Sequence, residues 1–184
     1  MKSRWLFELC SLALCTALIV VVKKVLDAIP NVEGVTFLII LFTLFFGWKT
    51  LLPVVIYIFE EGLYWGFGFW FPFYCIIWPL LVVLVLLFRR LLKTSAIGWA
   101  LFSGLFVLVF DGVYALTMYP MGGWKVVWAT IVSGVGFGVV HMIANFLICL
   151  ALFTPLYRVM ERLTKPFFNP IIKEESISER GSNA

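Results

Sequence analysis

The sequence predicts an all-α integral membrane protein, a bundle of six transmembrane helices with both termini in the cytoplasm. Three observations carry that prediction. Of the 184 residues, 63% are hydrophobic and the mean hydropathy is +1.07, whereas a soluble domain is roughly half apolar. The apolar residues fall in runs close to the ~20 that take a helix across a hydrocarbon core about 30 Å thick. The cations lie between those runs. With six crossings, eleven of the fourteen Lys and Arg residues share the side that holds both termini, and Lys23, Lys24 and Lys125 take the other. Cytoplasmic loops carry the excess of Lys and Arg, so the richer side is the inner one.

The first expected span is 5–22. Lys2 and Arg4 precede it as they would in a signal peptide, but Leu14 is too bulky for a cleavage site, so the segment is read as a retained helix. A polar break with Pro30 and Asn31 leads into a short second span, 34–48, which ends at Lys49. The stretch 51–88 is too long for one crossing, at about 57 Å of helix, and must fold back. Glu61-Gly62 through Gly66 and Gly68 is the expected turn, since glycine permits sharp backbone angles. That gives a third span at 51–64 and a fourth at 69–88, with Pro72 and Pro79 starting or kinking the fourth. The fifth runs over 97–118 and closes on the turn signal Tyr119-Pro120-Met121-Gly122-Gly123. The sixth is expected to begin near 134–138, with 124–133 a loop or interfacial segment, and to end at Tyr157. Residues 1–168 thus form one transmembrane domain, and 169–184 read as a polar, disordered cytoplasmic tail.

Several function classes are excluded at this level. No basic stripe points to nucleic acid. One histidine and four scattered cysteines without a C-x-x-C pair give no metal site. No Walker A motif is present, so the chain does not hydrolyse ATP by that route. The two halves share no motif, which disfavours an inverted-repeat carrier.

Against this apolar background a few polar groups stand out. Charges inside membrane spans are costly and mark interior sites. Glu60, Asp111, His141 and Asn145 all fall between the midplane and the outer leaflet when counted from the cytoplasmic span ends. His141 and Asn145 are four apart and share a helix face. Glu61 reads as a turn cap at the water boundary. Asp111 has a structural alternative, pairing with Lys125 or Tyr114, and His141 and Asn145 have another, tying helices together. Aromatic residues crowd the same outer level. Tyr64, Trp65, Trp70 and Tyr74 surround the third-to-fourth turn, and Tyr114, Tyr119, Trp124 and Trp128 the fifth-to-sixth connection. An interfacial belt accounts for some of them. Their concentration on one side also suits a small-molecule pocket, apolar with a few polar groups. Ala13 and Ala17, one turn apart in the first span, form a small-x-x-x-small pattern that lets another helix approach closely.

Taken together, these features resemble the substrate-binding S components of energy-coupling factor (ECF) vitamin transporters, over roughly residues 5–165. The segments Ile29-Pro30-Asn31-Val32-Glu33-Gly34, Glu61-Gly62-Leu63-Tyr64-Trp65-Gly66 and His141-Met142-Ile143-Ala144-Asn145-Phe146 are similar to the cobalamin-type members. The resemblance implies a six-helix bundle of the S-component type in a bacterial cell membrane. It implies a vitamin, cobalamin or a related corrinoid, captured from outside as transported ligand rather than as a covalent cofactor. Asn31, Glu33, Asp111 and Asn145 would be its hydrogen-bond partners. It also implies docking, through Ala13 and Ala17, on a T-component membrane subunit driven by two ATPase subunits, so that the chain itself is no enzyme. The rival readings are a membrane enzyme or a small ion-coupled carrier using Glu60, Asp111 and His141, and an assembly subunit.

Overall fold

Inside a bilayer the backbone must satisfy its own hydrogen bonds, so an apolar chain of this kind folds into helices. The computed structural model describes residues 2–167. It contains α1 (Lys2–Leu26), α2 (Val35–Phe46), α3 (Leu51–Trp65), α4 (Trp70–Leu92), α5 (Ala96–Thr117) and α6 (Gly123–Thr164). Short 3-10 turns, Gly47–Thr50 and Tyr119–Met121, follow α2 and α5, and no strand occurs among the described residues. Five stretches are long and apolar enough to cross a membrane, which makes this a multi-pass membrane protein by length and composition. The expected polar tail, 169–184, lies outside the described residues.

The second of those stretches, Val35–Trp65, holds two helices. Lys49 pairs with Glu8 near the start of α1, while Lys24 near its end reaches Glu61 at 2.6 Å. Both ends of α3 therefore lie beside the matching ends of α1, and α2 runs back between them. The reversal sits at Gly47, whose φ of +58° suits glycine. At the same end of the bundle the ring of Phe7 stacks on Phe167, with centroids 3.7 Å apart. The two ends of the described chain thus meet.

Every residue of α2 is buried. A helix apolar all round belongs in the middle of a bundle, and α2 packs against α1, α4, α5 and α6. Phe42 and Phe45 of α2, Ile77 and Leu81 of α4, and Trp99 of α5 fill the core with almost no exposed surface. Trp99 also donates to the Lys93 carbonyl at 2.8 Å, closing the link between α4 and α5. With 12 residues, α2 spans only about 18 Å. It starts beside Val22, a turn short of the Leu26 end of α1, and the loop 27–34 descends to meet it; that open end of the bundle is termed outer and the other inner.

Two expectations need correction. The turn between α3 and α4 falls at 66–69, at the Gly66 and Gly68 end of the expected stretch, with Gly66 at φ +84°, while Glu61-Gly62 remain helical. Glu61 is buried inside α3 and held by Lys24, so it does not cap a turn in water. The sixth helix does not begin at 134–138. It runs unbroken for 42 residues from Gly123, about 63 Å, and the segment 124–133 is helical. Gly123, at φ +64°, makes the reversal after the 3-10 turn. The later glycines stay helical because an interrupted helix would strand backbone groups in lipid. α5 and α6 form the most intimate pair in the fold. Their backbones approach closely at Gly104, where an added Cβ would lie 3.1 Å from the Met142 carbonyl oxygen. Above that point α6 packs mainly against α5, with His141 reaching Glu33.

Candidate functional site

Because α2 is short and the outer half of α6 stands apart, a cavity of about 1040 Å³ opens above the start of α2. The loop 27–34 forms one side and an aromatic face of α4 the next. Asp111 and Tyr114 of α5, with Gly134, Gly138 and His141 of α6, form the third.

Its polar centre is built on Glu33. The carboxylate accepts from the Thr36 amide at 3.0 Å and from the Thr36 hydroxyl, so it caps the start of α2. A negative group there also meets the positive end of the helix dipole. Asn145 Nδ2 donates to Glu33 Oε1 at 3.0 Å, and His141 Nε2 lies 3.5 Å from the same oxygen and 3.4 Å from Asn145 Nδ2. The start of α2 and the distant α6 thus meet on one carboxylate. Burial works to raise the pKa of Glu33, but the hydrogen bond and charge of His141 and the two bonds from Thr36 outweigh it and hold the carboxyl below its ordinary value. Asn31, at the bend of the loop, takes φ +60°, a left-handed conformation asparagine tolerates.

The aromatic wall follows from helical spacing. Trp70, Tyr74 and Trp78 recur every four residues and stand on one face of α4. Neighbouring rings meet edge to face, with centroids 5.0 and 5.6 Å apart. Phe110 sits edge-on to the His141 ring at 5.4 Å. Asp111 faces the cavity and forms no hydrogen bond or ion pair among the described residues, so it pairs with neither Lys125 nor Tyr114. Its Oδ2 lies 2.5 Å from where a Cβ on Gly138 would stand. The carboxylate therefore occupies room that only glycine leaves.

Of the residues expected at the site, Asn31, Glu33, Trp70, Tyr74, Asp111, Tyr114 and His141 line the cavity. Asn145 is buried and holds Glu33 without lining the space. Tyr64 and Trp65 do not line it. Both are exposed beside Lys24, whose ammonium lies 3.7 Å from the Tyr64 ring centre. Tyr119, Trp124 and Trp128 are exposed too and stand clear of the cavity. A loop would have let these tryptophans fold inward. In a helix, Trp124 and Trp128 are fixed on one face, and it points elsewhere. Sequence reasoning missed Tyr57, Phe73, Trp78 and Phe110. Trp78 was legible from its spacing to Trp70 and Tyr74, whereas Tyr57 comes from α3 and carried no local signal.

Glu60 lies 3.8 Å from Lys24 and outside the cavity, so Glu60, Asp111 and His141 do not converge. No group of three or more metal-ligating side chains gathers among the described residues. Ala13 and Ala17 are exposed on α1, opposite the buried Leu12, Cys15 and Ile19. The arrangement suits retention of a small organic molecule better than acid–base chemistry. Comparison with family models, curated proteins and solved structures yields no match.

Proposed function

We propose that the chain is the substrate-binding S component of an ECF-type transporter in a bacterial cell membrane, and that it captures a vitamin-class organic solute from outside. The observation that carries this reading is the cavity of about 1040 Å³ above α2, walled by aromatics and organised around Glu33. Its volume lies in the range of small-molecule sites, at the upper end. The chain crosses the membrane six times, α2 and α3 each making one crossing, with both termini in the cytoplasm. Arg89, Arg90, Lys93, Arg158 and Arg162 then share the inner side, in keeping with the positive-inside rule. Ala13 and Ala17, on the outer surface of the bundle, are the docking stripe for a T-component subunit. ATP hydrolysis belongs to two partner ATPases. The corrinoid implied by the resemblance enters the test as one arm.

Gentle detergent extraction of the full chain from its own cells, followed by native mass spectrometry, tests the assignment. The expected result is a retained small organic molecule and copurification with one further membrane subunit and two ATPases. A well-folded sample that retains none of a vitamin panel, cobalamin included, and captures no ATPase would overturn it. Topology is tested separately in a cysteine-free background. Ala28→Cys should be labelled in intact cells, and Thr94→Cys only after permeabilisation.

A further inference from the structure

The charges around the cavity do not balance. Lys23 is consumed by its ion pair with Asp27. Glu33 is satisfied by Thr36, Asn145 and His141. Asp111 is left, a carboxylate on a membrane-spanning helix that faces the space with no hydrogen bond or ion pair among the described residues. An uncompensated charge at such depth is costly. The other basic group that lines the cavity among the described residues, His141, is engaged by Glu33.

The α4 side of the cavity is aromatic. Trp70 and Tyr74 line it, and aromatic faces attract cations within about 6 Å. Gly138 completes the arrangement, because an added Cβ would meet Asp111 Oδ2.

We propose that the solute is an organic cation: a planar ring bearing a positively charged nitrogen, which pairs with Asp111 and packs against Trp70 and Tyr74. This rests on the binding role assigned above and narrows it, since the edge of a corrinoid carries neutral amides.

Three probes of one frame and different charge test the idea: 1-methylnicotinamide (cationic), nicotinamide (neutral) and nicotinate (anionic). Binding to the full chain in lipid nanodiscs is followed by quenching of tryptophan fluorescence, with cobalamin measured alongside. The cation should bind about tenfold more tightly than the neutral probe, and the anion least. In Asp111→Asn that ratio should fall to about one. If Asp111→Asn does not fold, Gly138→Ala gives the same reading by displacing the carboxylate. Equal or tighter binding of the neutral or anionic probe would overturn the proposal. So would a preference that survives the loss of Asp111. Binding of cobalamin alone would also overturn it while leaving the transport reading intact. Failure of all four in a folded sample would overturn it too, while the transport reading stands or falls on the retained solute and the copurifying subunits.

Discussion

The inner and outer halves of this bundle use the same helices in opposite ways. Around α2 the helices close on all sides, and Phe42, Phe45, Ile77 and Trp99 are packed with almost no exposed surface. Around the cavity they separate. α6 packs mainly against α5, and a single carboxylate, Glu33, ties it to the loop and the start of α2. The inner half is held by packing spread over many side chains, and the outer half by a few directional bonds. A binding site needs the second kind of construction, because a space that is to be filled cannot already be packed.

The sharpest way to break the comparison is to truncate matched aromatics in the two halves. Phe42→Ala should cost about 3–5 kcal/mol through the cavity it leaves, whereas Phe137→Ala, on the exposed face of α6, should change stability by less than about 0.5 kcal/mol. Thermal unfolding in detergent compares them directly. The next effect belongs to the outer half. Glu33→Ala leaves Asn145 and the Thr36 amide unpaired and should cost about 1–3 kcal/mol. Hydrogen exchange should show faster opening of residues 27–36 while the amides of α2 beyond Phe42 keep their protection.

A pH titration probes the same carboxylate. Because the pKa of Glu33 is lowered in the folded protein, its stabilising contribution is complete above the ordinary value of 4.5 and is lost as the pH falls through the lower folded value. Acidification below pH 4.5 should therefore loosen the loop in exchange measurements, and Glu33→Gln should abolish that response. The smallest effect contrasts two glycines. Gly134→Ala meets nothing within 4 Å and should stabilise by about 0.5–1 kcal/mol through helix propensity. Gly104→Ala presses on the Met142 carbonyl oxygen and should destabilise. Melting temperatures that move the same way would show that the tight and open parts of the α5–α6 hairpin do not differ as described.

Much of this was legible in the sequence. Hydropathy located the apolar stretches, and the his141–asn145 spacing foretold a shared face, since both signals are local and periodic. The glycines misled in one place. Gly134, Gly136 and Gly138 suggest a break by composition, but lipid penalises a broken helix more than glycine disfavours an intact one. Glu61 misled for another reason: its partner, Lys24, lies far away in sequence and nothing near Glu61 announces it. The convergence of Glu33 with Asn145 is likewise a matter of tertiary contact. Asparagine on α6 gave a hint of function, and only the folded chain shows which carboxylate it holds.

The length of α6 has a mechanical consequence for the membrane. Between Lys125 and Arg158 the helix carries an apolar run of about 48 Å, against a hydrocarbon core of about 30 Å. To keep that surface out of water, either the rod leans steeply or lipid thickens around it, and each costs a fraction of a kcal/mol per Å of mismatch. The strained element is the one that carries His141 and Gly138. Bilayer thickness thereby becomes a variable that acts on the cavity wall, and solute affinity measured in nanodiscs of increasing acyl-chain length should change steadily with it.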